Sequence, residues 1–171
     1  MKKFFLTLDL VVVATAANAQ VWIGGEIGAW RDYKANITEF TLRPEVGYNL
    51  DNKWSLGLAF GYQHEYLNHQ AINTVEINPY ARFSYAKFGP VSLFLDGGFA
   101  FGVSKVKDGG DGKNWEVGIK PGFAITLNQK FGFVSHVGFL GWRDHEYGVA
   151  DNGFGFKLSG YDVTFGVYYT F

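Results

Sequence analysis

The stretch that decides the fold is Tyr161-Asp-Val-Thr-Phe-Gly-Val-Tyr-Tyr-Thr-Phe171, at the end of the chain. Side chains of a β-strand alternate between its two faces, so this stretch has one apolar face and one mainly small or polar face. The apolar face carries Tyr161, Val163, Phe165, Val167, Tyr169 and Phe171. A face this apolar has to be buried in a protein core or in lipid, and a tilted strand that crosses a bilayer needs about 9–11 residues.

Seven further segments alternate in the same way, which predicts an all-β fold of eight strands. They are Val21–Ala29, Phe40–Tyr48, Trp54–Tyr62, Val75–Tyr85, Val91–Phe101, Trp115–Ile125 and Phe131–Phe139. An even number of strands places both termini at one end of an antiparallel up-and-down barrel.

The connections between these segments also alternate in length. Three of them are short, namely 49–53, 86–90 and 126–130. The others are mostly longer and richer in polar residues, namely 31–36, 67–73, 104–114 and 143–153. Short turns at one end and longer loops at the other are typical of outer-membrane barrels, whose longer loops are extracellular.

The volume of the apolar side chains decides which face points inward. An eight-stranded barrel interior is just wide enough to be filled by side chains, and it cannot hold the aromatic and aliphatic residues of eight apolar faces. The opposite faces are rich in glycine, which accounts for 23 of the 171 residues and makes room in a narrow lumen. The sequence therefore predicts a transmembrane barrel whose apolar faces contact lipid.

Charged residues fall in the inward phase of the alternation, where opposite signs can pair and offset the cost of burial. The predicted lumen charge network is Glu26, Arg43, Glu45, Glu76, Arg82, Asp96, Glu116, Lys120 and Asp162.

All five tryptophans lie at the ends of the alternating segments. Amphipathic rings favour the interface between membrane and water. Trp54 and Trp115 are in the outward phase, which predicts that they belong to an interfacial girdle. Trp22, Trp30 and Trp142 are in the inward phase, where they are expected to close the ends of the barrel.

Three prolines lie within the predicted strands, at Pro44, Pro79 and Pro121. Because proline cannot donate to the ladder, each is interpreted as a bulge or kink that helps to curve the sheet. A slip of phase is also predicted at 159–160, where the apolar positions change from even to odd. In the segment Phe131–Phe139, the side chains of the odd-numbered residues are predicted to point outward along the whole segment.

The start of the chain predicts export. Lys2 and Lys3 precede a short apolar run that ends in Ala-Asn-Ala19, which is the pattern of a secretory signal peptide. Residues 1–19 are therefore expected to be removed, which leaves a barrel domain of 20–171; an uncleaved anchor helix is the alternative. The chain has no cysteine, which excludes disulfides and thiolate metal sites, and a formal charge of −1 gives no indication of nucleic-acid binding.

On these features the mature chain resembles the small outer-membrane β-barrel family: the transmembrane domain of OmpA, OmpX and related barrels of the Bacteroidetes type. The resemblance implies location in the Gram-negative outer membrane, with periplasmic termini and extracellular loops. It also implies that the aromatic last strand, Tyr161, Val163, Phe165, Val167, Tyr169 and Phe171, is an insertion signal read by the outer-membrane insertion machinery. The expected lipid partners are outer-membrane lipids and lipopolysaccharide.

Family membership does not fix an activity, so three functions are open. The first is a structural or surface-interaction role in the envelope with an unknown surface ligand. The second is a narrow porin-like channel for water, ions or small solutes, and the third is a lipid-A-modifying enzyme. Ser135 and His136 are the tempting catalytic pair, but neighbours on a strand point to opposite faces. No catalytic, cofactor or metal site is predicted.

Several groups of polar residues are better explained as ordinary surface residues than as functional sites. His64, Glu65 and His69, and the pair His145-Glu146, match no firm metal-ligand spacing. The turn 108–112 could hold calcium but is explained by its glycines. The lysines of 105–113 could contact lipopolysaccharide phosphates, although a solvated loop is favoured.

Deletion of Phe171 is expected to slow assembly, because it shortens the apolar face of the last strand. The measurement is the heat-modifiable migration of the protein on gels during folding. A deletion variant that folds as fast as the full chain would contradict the proposed insertion signal.

Overall fold

The computed structural model describes residues 21–33, 36–67, 70–107, 109–146, 152–158 and 164–171. The predicted signal peptide 1–19, the proposed slip at 159–160, and Tyr161, Asp162 and Val163 lie outside these ranges, as does the side chain of Trp30. No helix in these ranges is long and apolar enough to cross a membrane.

The described residues form ten antiparallel β-strands. They are β1 Val21–Asp32, β2 Ile37–Asn49, β3 Trp54–Leu67, β4 Gln70–Phe88, β5 Val91–Val106, β6 Asp111–Thr126, β7 Phe131–His136, β8 Gly138–His145, β9 Gly153–Leu158 and β10 Thr164–Thr170. β7 and β8 both pair with β6, so together they form one interrupted strand of the barrel. In the same way β9, which pairs with β8, and β10, which pairs with β7, form the next interrupted strand. β1 pairs with β2 and with β10, which closes an eight-stranded barrel and confirms the predicted fold class.

Both described ends of the barrel domain lie at one rim, which we call the turn end. The amide of Phe171 donates to the carbonyl of Val21 there (3.1 Å). The connections at this rim are 50–53, 89–90 and 127–130, and Gly89 takes a left-handed φ of 59° in the tightest of them. The opposite rim, the loop end, carries the strand ends that these turns do not join, namely Asp32, Ile37, Leu67, Gln70, Val106, Asp111, His145 and Gly153.

The strands are longer at the loop end than the alternation predicts. Residues 70–73, 104–106 and 111–114 were expected in loops, but they belong to β4, β5 and β6. Hairpin pairing satisfies backbone groups whatever the side chains are, so the ladder continues after the apolar pattern has ended. With 12 to 19 residues in each of the first six strands, the barrel is longer than the ~9–11 residues per strand that cross a bilayer.

The polarity of the barrel is inverted relative to a water-soluble protein, as predicted. Phe99 and Phe165 are 57% and 54% exposed on the outer surface, whereas Arg82 and Asp96 are only 6% and 5% exposed inside. The exposed apolar residues cover the wall on all sides, and an apolar surface of this extent is stable only in contact with lipid.

A one-residue bulge at Val137 reverses the alternation in the seventh barrel strand. Gly122 pairs with His136, but Ile119 pairs with Leu140, so one extra residue separates β7 from β8. Because the side-chain period is two, every residue after the bulge changes face.

Two predicted orientations are therefore wrong. Phe139 was expected to face outward but is 8% exposed and lies in the lumen. Trp142 was expected to face inward but is 44% exposed on the outer surface. There it stacks parallel to Trp115, with ring centroids 6.3 Å apart.

A bulge or kink was predicted at each proline, and a bulge is found at one site only. Pro121 lies opposite the Val137 bulge, and its carbonyl accepts the Val137 amide (2.9 Å). At Pro44 and Pro79 the ladder to one neighbouring strand is interrupted, but the register is the same on both sides. A proline removes only its own donor, so the neighbouring pairs can hold the register without an inserted residue.

We expect Phe99→Arg to impair membrane insertion strongly, by about 2–4 kcal/mol if the residue lies at the bilayer midplane. Phe83→Arg should cost less, because Phe83 packs beside Trp54 near the turn end (ring centroids 4.8 Å). Ser84→Arg is the matched control, since Ser84 faces a lumen cavity. The measurement is the folded fraction in lipid vesicles; equal yields for all three variants would contradict the assigned facing.

Candidate functional site

The centre of the lumen is closed by an ion pair between neighbouring strands. Arg82 on β4 and Asp96 on β5 are directly opposite in the register. The Nε and Nη2 groups of Arg82 donate to the two carboxylate oxygens of Asp96, each at 2.7 Å. A two-pronged pair of this kind fixes the plane of the guanidinium as well as its position.

Four aromatic rings surround the same guanidinium. Its central carbon lies 3.9 Å from the ring centroid of Phe94 and 5.3 Å from that of Tyr168. The rings of Trp22 and Tyr80 are at 5.8 and 5.6 Å. These distances favour cation–π attraction, so the ion pair and the rings form one plug across the lumen. We call these six residues the lumen plug.

Glycines on neighbouring strands let these rings lie against the barrel wall. A Cβ at Gly47 would overlap the indole of Trp22, and a Cβ at Gly57 would overlap the phenol of Tyr80. The glycines of the inward face therefore determine where the large rings of the plug can lie.

His136 joins the plug to the next layer. Its Nε2 lies 2.8 Å from Asp96 Oδ2 and its Nδ1 lies 2.9 Å from Glu26 Oε1. Glu26 also accepts a hydrogen bond from the Thr164 hydroxyl (2.9 Å). A neutral imidazole has one N–H donor, so only the doubly protonated ring donates to both carboxylates.

A second group of charges lies on the loop-end side of His136. Glu116 accepts from Lys120 (2.6 Å) and from Arg143 Nη2 (3.2 Å). Arg43 lies 3.9 Å from Glu76 and also donates to the amide oxygen of Asn78.

The charges of this middle section balance when His136 is protonated. Its carboxylates are Glu26, Glu45, Glu76, Asp96 and Glu116, and its permanent cations are Arg43, Arg82, Lys120 and Arg143. Among the described residues, five negative charges thus face four positive ones, and the imidazolium supplies the fifth. Balance of this kind limits the cost of holding so many charges away from water.

The structure thus places every described member of the predicted lumen charge network inside the barrel. They are Glu26, Arg43, Glu45, Glu76, Arg82, Asp96, Glu116 and Lys120. Asp162 lies outside the described residues. Sequence reasoning missed Arg143, because the bulge at Val137 changes its face and because it was assigned to a loop.

The lumen is divided into separate cavities. A cavity of about 450 Å³ lies at the turn end, with Arg82, Phe94 and Trp22 among its lining residues. The central space beside Glu45 is only about 20 Å³, which is room for about one water molecule. Cavities of about 160 and 150 Å³ follow toward the loop end. Among the described residues, the side chains of the lumen plug therefore lie between the turn-end cavity and the spaces nearer the loop end.

Most of the remaining predicted positions lie on the outer wall. Trp54 and Trp115 are both exposed there, Trp54 close to the turn end and Trp115 toward the loop end. In the last strand, Phe165 and Val167 are exposed, and the Tyr169 ring packs edge-to-face on Phe171 (5.1 Å). Trp22, by contrast, is buried in the plug.

The structure does not bring Ser135 and His136 together as a catalytic pair. Ser135 is fully buried in the outward phase, opposite Phe123 and Phe165, while both nitrogens of His136 contact carboxylates. Glu65 is buried, and neighbouring His64 contacts Asn73. No group of three metal-type ligands occurs in the ranges given above, which leave out 68–69.

The lysines expected in a solvated loop lie at the loop-end rim. Lys105 belongs to β5 and Lys113 to β6, and both share the outward phase of Trp115. They therefore face the surroundings of the barrel just beyond the aromatic residues of the wall.

Comparison with solved structures agrees with this architecture. The chain is similar to the N-terminal β-barrel domain of OprF from Pseudomonas aeruginosa, with a TM-score of 0.56 at 17% identity. The alignment covers 90% of this chain and 98% of that domain. The chain has the fold of a small outer-membrane β-barrel.

A weaker likeness is found to OmpT, an outer membrane protein of Vibrio cholerae. Its TM-score is 0.41 at 12% identity, over 89% of this chain and 52% of that one. No protein-family model and no curated protein matches the chain.

We expect Asp96→Ala to destabilise the barrel by about 3–5 kcal/mol, because it leaves the buried charge of Arg82 unpaired. The double variant Arg82→Gln/Asp96→Asn should recover a large part of this loss, since it removes both charges. The measurement is equilibrium unfolding in urea of the protein refolded in detergent. Asp111→Ala, an exposed carboxylate at the start of β6, is the control, and an equal effect there would contradict a structural role for the plug.

Proposed function

We propose that this protein is an integral outer-membrane barrel with a closed lumen and a structural or surface-interaction role in the Gram-negative envelope. The observation that carries the proposal is the lumen plug, in which the Arg82–Asp96 pair is enclosed by four aromatic rings. A barrel filled in this way offers its outer wall and its rims for contacts, and not its interior for passage.

The membrane location is supported by the apolar outer wall and by the match to an outer-membrane barrel domain. Residues 1–19 would direct export and be removed, and the last strand, with Phe171, would be read by the outer-membrane insertion machinery. The turn end with both chain ends would face the periplasm, and the extended loop end would project from the cell surface.

Contacts with membrane lipids follow from the same orientation. The girdle residues Trp54 and Trp115 would lie at opposite interfaces of the outer membrane. Lys105 and Lys113, just beyond Trp115, would then lie at the depth of lipopolysaccharide phosphates. Attraction between lysine and an anionic surface is worth about 1 kcal/mol per residue near the surface.

A narrow porin-like conduit for water, ions or small solutes is the second candidate. It is supported by the cavities on both sides of the plug, of about 450 Å³ at the turn end and about 160 Å³ toward the loop end. Rearrangement of the Arg82 side chain would bring these spaces closer together, so the ion pair itself would decide whether the lumen conducts.

Planar-bilayer conductance distinguishes the two candidates. For the closed barrel we expect no stable current steps above baseline in the full mature chain. The double variant Arg82→Ser/Asp96→Asn should give steps, because it removes the long side chain and both charges from the narrowest section. Its matched control is Arg31→Ser/Asp32→Asn, which makes the same changes at the loop-end rim and should stay silent.

Stable steps in the unmodified protein would favour the conduit and overturn the closed-lumen proposal. Silence of the plug variant, with normal folding on heat-modifiable gels, would show that the plug is not the barrier to conduction.

A further inference from the structure

A group of apolar side chains covers the outer wall at the turn end, where β10 meets β7. The Tyr169 ring packs edge-to-face on Phe131, with ring centroids 5.2 Å apart, and on Phe171, at 5.1 Å. Leu127, in the turn that leads into β7, is 63% exposed, and its amide donates to the Phe131 carbonyl (2.9 Å). We call Leu127, Phe131, Tyr169 and Phe171 the turn-end patch. The patch continues the lipid-facing wall to the edge of the barrel, and the Tyr169 hydroxyl gives it a polar group.

Lys130 extends over this patch. Its Nζ lies 5.7 Å from the centroid of the Tyr169 ring, a distance at which an aromatic ring attracts an ammonium group. Its main-chain carbonyl accepts from the Thr170 amide (2.8 Å), which ties the residue to β10. Lys130 forms no ion pair with any described carboxylate, that of Phe171 included. An ammonium group has three donors, so this one is available to an anion beside the phenol.

The turn 127–130 repeats the hydrogen bonds of the turn 50–53. In each turn two successive amides donate to the carbonyl of the aromatic residue that follows the lysine, at 2.9 and 3.2 Å. The Oδ1 atoms of Asp51 and Asn128 accept from the amides of the lysine and of that aromatic residue. Only the main chain of the two lysines takes part in these bonds. The turn therefore does not account for a lysine side chain at this position.

The two lysine side chains lie in different surroundings. Lys53 borders the cavity at the turn-end mouth of the lumen, whereas Lys130 lies over Tyr169 on the outer wall. The two turns also differ in charge, because Asn128 stands where the first turn has Asp51. The second turn thus places a lysine against lipid-facing rings and adds no carboxylate of its own.

The depth of the patch in a membrane follows from the length of β6. Residues 115 to 127 span twelve steps of extended chain, which is about 40 Å along the strand and about 30 Å along the barrel axis for a tilt of ~40°. The apolar band of an outer-membrane barrel is about 25 Å tall. With Trp115 at one interface, Leu127 and Lys130 therefore lie at the other, at the depth of the lipid phosphates.

We propose that Lys130 and Tyr169 bind the phosphate of an anionic phospholipid, whose acyl chains lie against Leu127, Phe131 and Phe171. The ammonium group supplies the opposite charge, the phenol hydroxyl donates to a phosphate oxygen, and the apolar side chains continue the surface on which the acyl chains rest.

The occupant is a phospholipid because the patch is continuous with a wall that is stable only in lipid, and because the charge that Lys130 adds at its edge is positive. The site goes beyond the proposed function. It needs only that the outer wall is embedded in lipid, so it holds whichever rim faces the periplasm.

Fluorescence quenching by spin-labelled lipids tests the site on the mature chain refolded in phosphatidylcholine vesicles. The chain has no cysteine, so Val167→Cys labelled with bimane reports on lipid two residues from Tyr169, on the same exposed face of β10. Leu56→Cys is the matched reporter, since it is exposed two residues from Trp54 at the turn end of β3. Each sample contains a small fraction of phosphatidylglycerol or of phosphatidylcholine that carries a nitroxide on one acyl chain.

At the Val167→Cys reporter we expect phosphatidylglycerol to be preferred over phosphatidylcholine by about fivefold, the ratio that corresponds to ~1 kcal/mol for one lysine at an anionic surface. The two lipids should quench the Leu56→Cys reporter nearly equally. Lys130→Gln should abolish the preference at Val167→Cys, and Tyr169→Phe should reduce it. Lys53→Gln makes the same change in the equivalent turn and should leave the preference unchanged, with heat-modifiable migration confirming that each variant is folded.

Three results would overturn the proposal. Equal quenching by both lipids at Val167→Cys, with Lys130 in place, would show that no anionic headgroup is bound there. A preference that survives Lys130→Gln, or that falls equally with Lys53→Gln, would show a general attraction to the rim. Quenching by neither lipid would show that a second copy of the chain or another protein covers the patch.

Discussion

The structure depends on closure of the hydrogen-bond ladder between its first and last strands. In a bilayer no water satisfies backbone N–H and C=O groups, so a sheet with free edges is unstable there. The pairing of β1 with β10, from Trp22 opposite Thr170 to Glu26 opposite Gly166, removes these edges. Closure with eight strands also fixes the diameter, and an interior this narrow must be filled by the chain's own side chains. This need to fill a narrow interior explains the inward glycines, the rings around Arg82 and the buried ion pairs.

The alternation of side chains between the two faces of a strand was enough to predict much of this arrangement. In a strand without bulges the face of every residue follows from one of them, so Glu26, Glu45 and Asp96 could be assigned to the lumen before any pairing was known. The alternation does not show which residues of neighbouring strands are in contact, because a register shift by two residues leaves every side chain on the same face. The partnership of Arg82 with Asp96, and the position of His136 between Asp96 and Glu26, therefore needed the structure.

The errors of the sequence analysis have two physical origins. One is the bulge at Val137. Valine is a common strand residue, so the sequence gives no sign of a bulge there. The inward orientation of Phe139 and Arg143 and the outward orientation of Trp142 could therefore not be predicted. The other is the difference between hydrophobic pattern and pairing. The apolar alternation ends at Val75 in β4 and at Trp115 in β6, whereas backbone pairing continues to Gln70 and to Asp111. Apolar segments therefore underestimate the length of the strands.

The bulge also separates two parts of one barrel strand that contact different groups in the lumen. Before it, β7 presents His136 to Glu26 and Asp96, in the balanced section that closes the lumen. After it, β8 presents Phe139 and Arg143 to the same lumen, on the loop-end side. Without the extra residue, Arg143 would point toward lipid, where a cation costs about 2–4 kcal/mol at the midplane, and Trp142 would occupy the lumen. One inserted residue thus supplies the outward Trp115–Trp142 pair and brings Arg143 to Glu116 inside the lumen.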